Sequence, residues 1–395
     1  MKRIPTKLAA AALAVLLHAL LIPRVCGAAA PTGVTEFDTA PAKGNAAIDA
    51  GLSPTAVAAL GDFLWLGRKG GIRKYDRLSG SWEFFPYKGL VCPGVGTINI
   101  VPEPPYLWTR LNNTGSLCRF DPGDGSWFSM KDWTVLARTG QGGPVGFSPD
   151  YIYIASQGSP DWEGVNVIDR VKGEWVKLLP TKPITAMYLD PRYIWLGVSE
   201  GILRINRVTE DYTYYLPSEH GGGAVVTDIL PVPQGIAFAT TGDHTSILGD
   251  ETRVTKKSIQ VYMKNRNRWY TYLKSDREKL LKDLQNGTIK PTYIKTRPGL
   301  LILSGGKWRL LTVSNGLASN NITSLDRDSK CLYVATLRGI TALDISTLKP
   351  RDINPHIFRA LLQAHRVVSD REFLWVITNR GLFRVTKSSL FSFPR

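Results

Sequence analysis

Histidine, cysteine and methionine are scarce in this chain: five, four and four among 395 residues. Four cysteines are too few for a disulfide-built scaffold, and the absence of any Cys-x-x-Cys-His excludes covalently attached haem. Long apolar runs are missing too. The longest, residues 8–22, has 15 members, short of the roughly 20 that a spanning helix needs, so a multi-span membrane protein is excluded. The glycine-rich stretch 67–71 holds Lys69 but lacks the Walker spacing of a phosphate loop. No Ser, His and acid are arranged to suggest an activated nucleophile.

What is present is a folded composition, with 43% hydrophobic, 21% charged and 10% aromatic residues. The apolar run follows Lys2, Arg3 and Lys7, breaks at Pro23-Arg24 and leads to small residues at 27–30. That pattern predicts a secretory signal over 1–30, followed by an N-terminal extension over 31–54 and the folded domain over 55–395. Losing the signal lowers the formal charge from +16 to +12. Pro23, Arg24 and Val25 stand where a lipid anchor on Cys26 would need small residues. The mature protein is therefore expected to be periplasmic or secreted, without a transmembrane span, and monomeric. Cys92 and Cys118 could pair in an oxidising compartment or remain two small buried hydrophobes, whereas Cys331 heads an apolar run and belongs in the core.

Apolar runs start at Phe63, Tyr106, Tyr151, Tyr193, Cys331 and Phe373, spaced 42 to 45 residues apart within each consecutive group; a weaker one starts at Gly235. Short runs without polar alternation suit strands covered on both faces. After each comes Gly, an apolar residue, two variable residues, an apolar residue and a small polar one, as in Gly71–Asp76, Gly201–Asn206, Gly339–Asp344 and Gly381–Thr386. In Ser258–Met263 the Gly is replaced by Ser. The Gly suits a positive-φ turn, and the closing Asp or Asn can bond its own backbone to start the next turn. Asp76, Gly80 and Trp82 share their spacing with Asp121, Gly125 and Trp127 and with Asp169, Gly173 and Trp175, predicting a hairpin whose returning strand is anchored by an aromatic. With a further strand before each run, the unit has four strands. Such units predict an all-β propeller, eight-bladed, with seven as the alternative if the irregular sixth unit is an insertion within blade five.

Asn315-Gly316-Leu317-Ala318-Ser319-Asn320-Asn321-Ile322, followed by Asp326 and Gly339-Ile340, resembles the repeat of the two-component regulator propeller family. The resemblance covers most of 55–393. It implies a propeller of an exported sensor or stand-alone type, and its motif residues are scaffold positions that say little about function.

Candidate chemistry is sparse. His220, Asp228, Asp243 and His244 could place a metal site on loops of adjacent blades, although lone loop histidines and acids are usually solvated. The acidic stretch 121–125 resembles a calcium loop but occupies the hairpin position shared with 76–80 and 169–173. No cofactor is expected. Charge is the feature that exceeds scaffold: between Arg253 and Arg297 stand thirteen basic residues against Asp276, Glu278 and Asp283, a balance of +10. Arg253, Lys256, Lys257, Lys264, Arg266, Arg268, Lys274, Arg277, Lys279 and Lys282 make the candidate binding patch. Ser275 to Gly287 reads as a short helix opened by a Ser275/Glu278 capping box, within a basic helical insertion at about 274–290. Tyr262, Trp269, Tyr270 and Tyr272 alternate with the charges and fit an outer strand of blade five. Export argues against nucleic acid as the partner. The charges either form a solvated face or dock a protein or another anionic component of the envelope. The function expected is a non-enzymatic binding or scaffold module, possessing no catalytic constellation; the alternative is a propeller-type lyase or hydrolase with a metal site in the funnel.

Overall fold

The computed structural model describes residues 34–37, 56–88, 97–111, 117–129, 143–156, 163–181, 183–198, 201–215, 222–223, 225–242 and 297–391. Between the last two ranges it also describes 247–248, 251–254, 258–263, 268–273, 279, 282–283, 286, 288 and 291–292. The expected signal segment and Cys92 lie outside the described residues. Among those described, no helix is long and apolar enough to cross a membrane.

Seven four-stranded antiparallel sheets form the ring of a β-propeller. From the centre outward, blade one is Ala56–Leu60, Phe63–Arg68, Gly71–Asp76 and Trp82–Pro86. Blade two runs Thr97–Glu103, Tyr106–Leu111, Leu117–Asp121 and Ser126–Ser129; blade three Val145–Phe147, Tyr151–Ser156, Gly164–Asp169 and Trp175–Pro180. Blade four is Ile184–Leu189, Tyr193–Val198, Gly201–Asn206 and Tyr212–Tyr215; blade five Val225–Val232, Gly235–Thr241, Leu300–Ser304 and Lys307–Leu311. Blade six is Ile322–Arg327, Cys331–Thr336, Gly339–Asp344 and Pro350–Arg351. Blade seven takes Ala364–Ser369, Phe373–Thr378 and Gly381–Thr386 from one end of the sequence and its outer strand, Val34–Phe37, from the other.

Seven is thus the blade number, the alternative in the sequence reading, and the reason for the surplus unit is local. Ser258–Met263 obeys the third-strand spacing, but it pairs with Glu251–Val254 and Arg268–Leu273 in a separate three-stranded sheet. That sheet is inserted between the second and third strands of blade five, above a stem in which Ile247–Leu248 pairs with Pro291–Thr292. Tyr262, Trp269, Tyr270 and Tyr272 therefore belong to the inserted sheet, and the outer strand of blade five is Lys307–Leu311.

The repeated columns have the physical roles that their spacing suggests. Trp65, Trp195 and Trp375 are buried in second strands, where they pack between blades, and Cys331 is buried at the head of its strand. Asp76, Asp169, Asn206 and Asp344 each accept two backbone N–H groups from the residues two and three further on, which opens the outer hairpin. Four residues after the polar opener the chain enters the left-handed region: Gly80, Gly125 and Gly173 have φ of 71°, 72° and 71°. Glu210 and Leu348 occupy the same position with φ of 58° and 57°. The aromatic anchor is less uniform than expected. Trp127 is buried, but Trp82 and Trp175, on the outer strands of blades one and three, are each 38% exposed.

Candidate functional site

Two layers of inter-blade polar contact frame the central channel, and both are written in the repeat. In the first, the inner strands of blades four, five, six and seven bulge at Ile184/Ala186, Val226/Asp228, Ile322/Ser324 and Ala364/Arg366. The extra residue at the first three bulges is a threonine. Thr185 Oγ1 donates to Val226 O at 2.6 Å, Thr227 Oγ1 to Ile322 O at 2.8 Å and Thr323 Oγ1 to Ala364 O at 2.9 Å. A bulge exposes backbone carbonyls that a ladder would have used, and a hydroxyl on the adjacent blade satisfies them. The sequence carried this signal as Ile-Thr, Val-Thr and Ile-Thr at the head of the inner strands.

The second layer lies at the rim made by the first-to-second and third-to-fourth connections. There an acid caps the column aromatic of its own blade and pairs with a cation from the next. Trp108 Nε1 donates to Glu103 at 2.7 Å, Trp195 Nε1 to Asp190 at 2.7 Å, Trp375 Nε1 to Asp370 at 2.6 Å and Tyr333 Oη to Asp328 at 2.9 Å. Arg170 pairs with Glu103, Arg77 with Asp370 at 3.0 Å and Lys387 with Asp328 at 2.6 Å. Arg77, Arg170, Arg207 and Lys387 each follow the small polar residue that closes a third strand. Arg207 finds the hydroxyl of Tyr153 in place of an acid. The Arg77–Asp370 pair joins blade one to blade seven across the ring closure.

On the inner strands that line the channel the carboxylates behave differently. Asp228, on the inner strand of blade five, accepts from Leu325 N at 2.9 Å, Ser324 Oγ at 3.3 Å and Ile229 N at 3.0 Å. Asp326, on blade six, accepts from Ser369 N of blade seven at 2.6 Å and from Arg327 N at 2.8 Å. Arg366 of blade seven lies close enough to both to favour their charged forms. Burial raises the pKa of Asp228 above its ordinary value against the pull of Arg366 and these donors. Burial also pushes Asp326 up, to about 6; the N–H groups of Ser369 and Arg327 and the charge of Arg366 oppose the rise, and the charge of Asp228 adds to it. Two desolvated acids beside one arginine thus join blades five, six and seven at their inner strands.

Of the sequence-derived metal set only Asp228 is described, and its oxygens bond to its own backbone and to blade six. His220, Asp243 and His244 lie outside the described residues. Among the described residues no three His, Cys, Asp or Glu side chains gather as metal ligands. The calcium-like stretch is a hairpin: Asp121 accepts from Gly123 N and Asp124 from Ser126 N, each at 2.8 Å. One stretch, Gly197-Val198-Ser199-Glu200-Gly201, does have Gly-x-Ser-x-Gly spacing. It joins two antiparallel strands, whereas a nucleophile elbow joins a strand to a helix.

The blade-five insertion holds the basic patch. Arg268, Lys279, Lys282 and Arg297 are exposed, and Arg253 lies on the first strand of the inserted sheet. Lys279, Lys282 and Asp283 are helical, with Asn286 N bonded to Lys282 O. Tyr272 is buried, and its hydroxyl donates to Asp283 at 2.8 Å, which docks the helical stretch on the sheet. Glu251–Val254 lies beside the outer strand of blade four. Lys256, Lys257, Lys264, Arg266, Lys274 and Arg277 lie outside the described residues. Cys118 is buried and disulfide-bonded.

No family model matches the chain, and no curated protein matches it. Solved structures do. The computationally designed Ika8 protein superposes with a TM-score of 0.53 at 11% identity, covering 86% of this chain and 97% of its own. Kuenenia stuttgartiensis hydrazine synthase gives 0.52 at 13% identity, covering 88% and 99%. A chain of the mitotic checkpoint complex gives 0.52 at 9% identity, covering 93% and 96%. At such identities the likeness shows the propeller fold alone.

Proposed function

We propose that this chain is an exported, non-enzymatic binding module that docks an anionic partner of the cell envelope through the blade-five insertion. The observation that carries the reading is the insertion itself. The ring is closed by the N-terminal strand and the rim pairs, and the extra sheet contributes no strand to any blade. Nearly all of the excess charge expected on the mature chain nevertheless sits on it. A concentrated field of this kind speeds encounter with an anionic surface and weakens over a Debye length of about 8 Å at physiological salt. The repeat's resemblance to two-component regulator propellers agrees with a module that reports to another protein. The expected signal over 1–30 is tested by mass spectrometry of the exported protein, whose mature mass should lack about 27 to 30 residues; an intact Met1 on membrane-bound material overturns export.

Charge reversal tests the docking. Exchanging Arg266, Arg268, Lys279 and Lys282 for Glu should change stability by less than about 0.5 kcal/mol per site. It should also weaken capture of anionic vesicles, acidic polysaccharide or the native envelope partner, most strongly at low salt. Unchanged capture by a normally melting variant across all salt concentrations would refute the reading.

A further inference from the structure

On the rim of blade six, at the strand ends away from the second-to-third connection that carries the blade-five insertion, the 328–331 and 344–350 connections border an open cavity of about 560 Å³. Three cations line it: Lys330, Lys349 and Arg351. Ser346 and Thr347 add hydroxyls. Its one acid, Asp344, is already engaged, accepting from Ser346 N at 3.1 Å, Thr347 N at 2.9 Å and Thr347 Oγ1 at 3.0 Å. None of the three cations forms an ion pair among the described residues, unlike Arg77, Arg170 and Lys387 elsewhere on the same rim.

Arg351 is held in place. Its guanidinium carbon lies 4.0 Å from the ring centre of Phe391, and Nη1 is 3.2 Å from the buried Cys331 sulfur. Stacking on an aromatic face fixes the plane of the fork while leaving N–H edges for a ligand. Cys331 and Phe391 offer no charge to neutralise it. Three cations against one carboxylate leave two positive charges, which match the charge of about −1.5 to −2 on a phosphate monoester at neutral pH. A planar fork with two flexible ammonium groups and neighbouring hydroxyls is the donor set that tetrahedral phosphoryl oxygens take up.

We infer that the blade-six rim cavity is a binding site for a phosphoryl group, with Arg351 as its fixed contact and Lys330 and Lys349 as its charge partners. The group could be carried by a soluble phosphate monoester or by a phospholipid headgroup, and the experiment separates the two. Titration calorimetry and 31P line broadening with inorganic phosphate and glycerol 3-phosphate are run on the full-length protein and on Lys330→Gln/Lys349→Gln/Arg351→Gln. A parallel arm measures flotation with phosphatidic acid vesicles. All arms are repeated in the charge-reversed insertion variant, so that failure of the insertion reading and failure of this one are told apart. The expected result is binding of at least one probe that falls tenfold or more in the triple glutamine variant and persists in the insertion variant. Loss of glycerol 3-phosphate binding assigns the soluble monoester, and loss of vesicle binding alone assigns the headgroup. If a triple variant with unchanged melting binds every probe as the parent does, or if the parent binds none, the assignment is wrong. Arg351→Lys keeps the charge and removes the fork, and should retain less than a third of the parent's affinity; full affinity would overturn the role of Arg351.

Discussion

Asp326 and Asp328 stand two residues apart, the first on the inner strand that lines the channel and the second on the rim, and their environments pull them in opposite directions. Both are desolvated by burial. At Asp328 the burial is outweighed by the ammonium of Lys387, the N–H groups of Lys330 and Cys331 and the hydroxyl of Tyr333, and its pKa falls to about 2. At Asp326 two backbone N–H groups and Arg366 fail to offset burial and the neighbouring charge of Asp228, and its pKa rises to about 6. The rim carboxylate is built to be charged and stabilises the ring. The channel carboxylate is held against its own preference, by burial that its N–H donors and Arg366 do not offset.

The largest expected effect tests the rim side. Asp328→Ala removes four hydrogen bonds, from Lys330 N, Cys331 N, the Tyr333 hydroxyl and the Lys387 ammonium, leaves that ammonium the Asp370 carbonyl alone, and should destabilise the fold by about 3–4 kcal/mol, read from urea denaturation at pH 7. With a folded pKa near 2 and an ordinary value of 3.8, Asp328 contributes stability that is present above about pH 4 and lost as the pH falls through about 2. A cost below 1 kcal/mol would place Asp328 among ordinary surface acids.

The channel side should respond with the opposite sign. A raised carboxylate pKa favours the fold fully below about pH 4, and the benefit is lost as the pH rises through about 6. Asp326→Asn keeps an acceptor for Ser369 N and removes the titration. It should therefore raise stability by about 3 kcal/mol at pH 7.5, from roughly two pKa units at 1.36 kcal/mol each, and by nothing at pH 3.5. Thermal melts of both proteins from pH 3.5 to 8 measure this. Parallel curves would mean that Asp228, Arg366 and Arg327 leave Asp326 with an ordinary pKa.

The smallest effect concerns the blade that lacks the rim cap. Trp65 is fully buried in the same column as Trp375, yet its indole N–H has no hydrogen-bond partner among the described residues. Blade two places Glu103 opposite Tyr106, whereas blade one has Leu60 at that register, opposite Phe63. Leu60→Glu should supply the missing acceptor and gain about 0.5–1 kcal/mol, measured as a shift in the denaturation midpoint. A loss of stability would show that burial of Leu60 matters more than the unpaired N–H.

The propeller was legible because each blade repeats the same burial problem at a fixed interval. Phe63-Leu64-Trp65-Leu66 and Phe373-Leu374-Trp375-Val376 announce doubly covered strands wherever they stand. The blade number was less legible, since Ser258–Met263 uses the same hairpin chemistry as a third strand and only its pairing partners reveal an inserted sheet. The channel pair was hidden for a different reason. Asp228 and Asp326 are 98 positions apart in sequence, and what makes them unusual is the bulged register that sets Arg366 and Ser369 beside them. The motif Asn315 to Ile322 proved to be scaffold: Asn320 accepts from Val313 N, and Asn321 from Thr241 Oγ1 and Gly242 N of blade five.

Val34–Phe37 pairs with Leu382 to Val385, so the seventh blade joins strands nearly 350 residues apart. During synthesis the strand Val34–Phe37 emerges before every blade, and the three strands it must meet emerge after the other six blades. Blades one to six can assemble in order while this strand has nothing to pair with, and the loop closed by the final pairing is the longest in the molecule. The ring therefore keeps an open seam until the seventh blade has emerged, and the arrival of its third strand, rather than the folding of any earlier blade, sets the moment at which the propeller becomes a closed body.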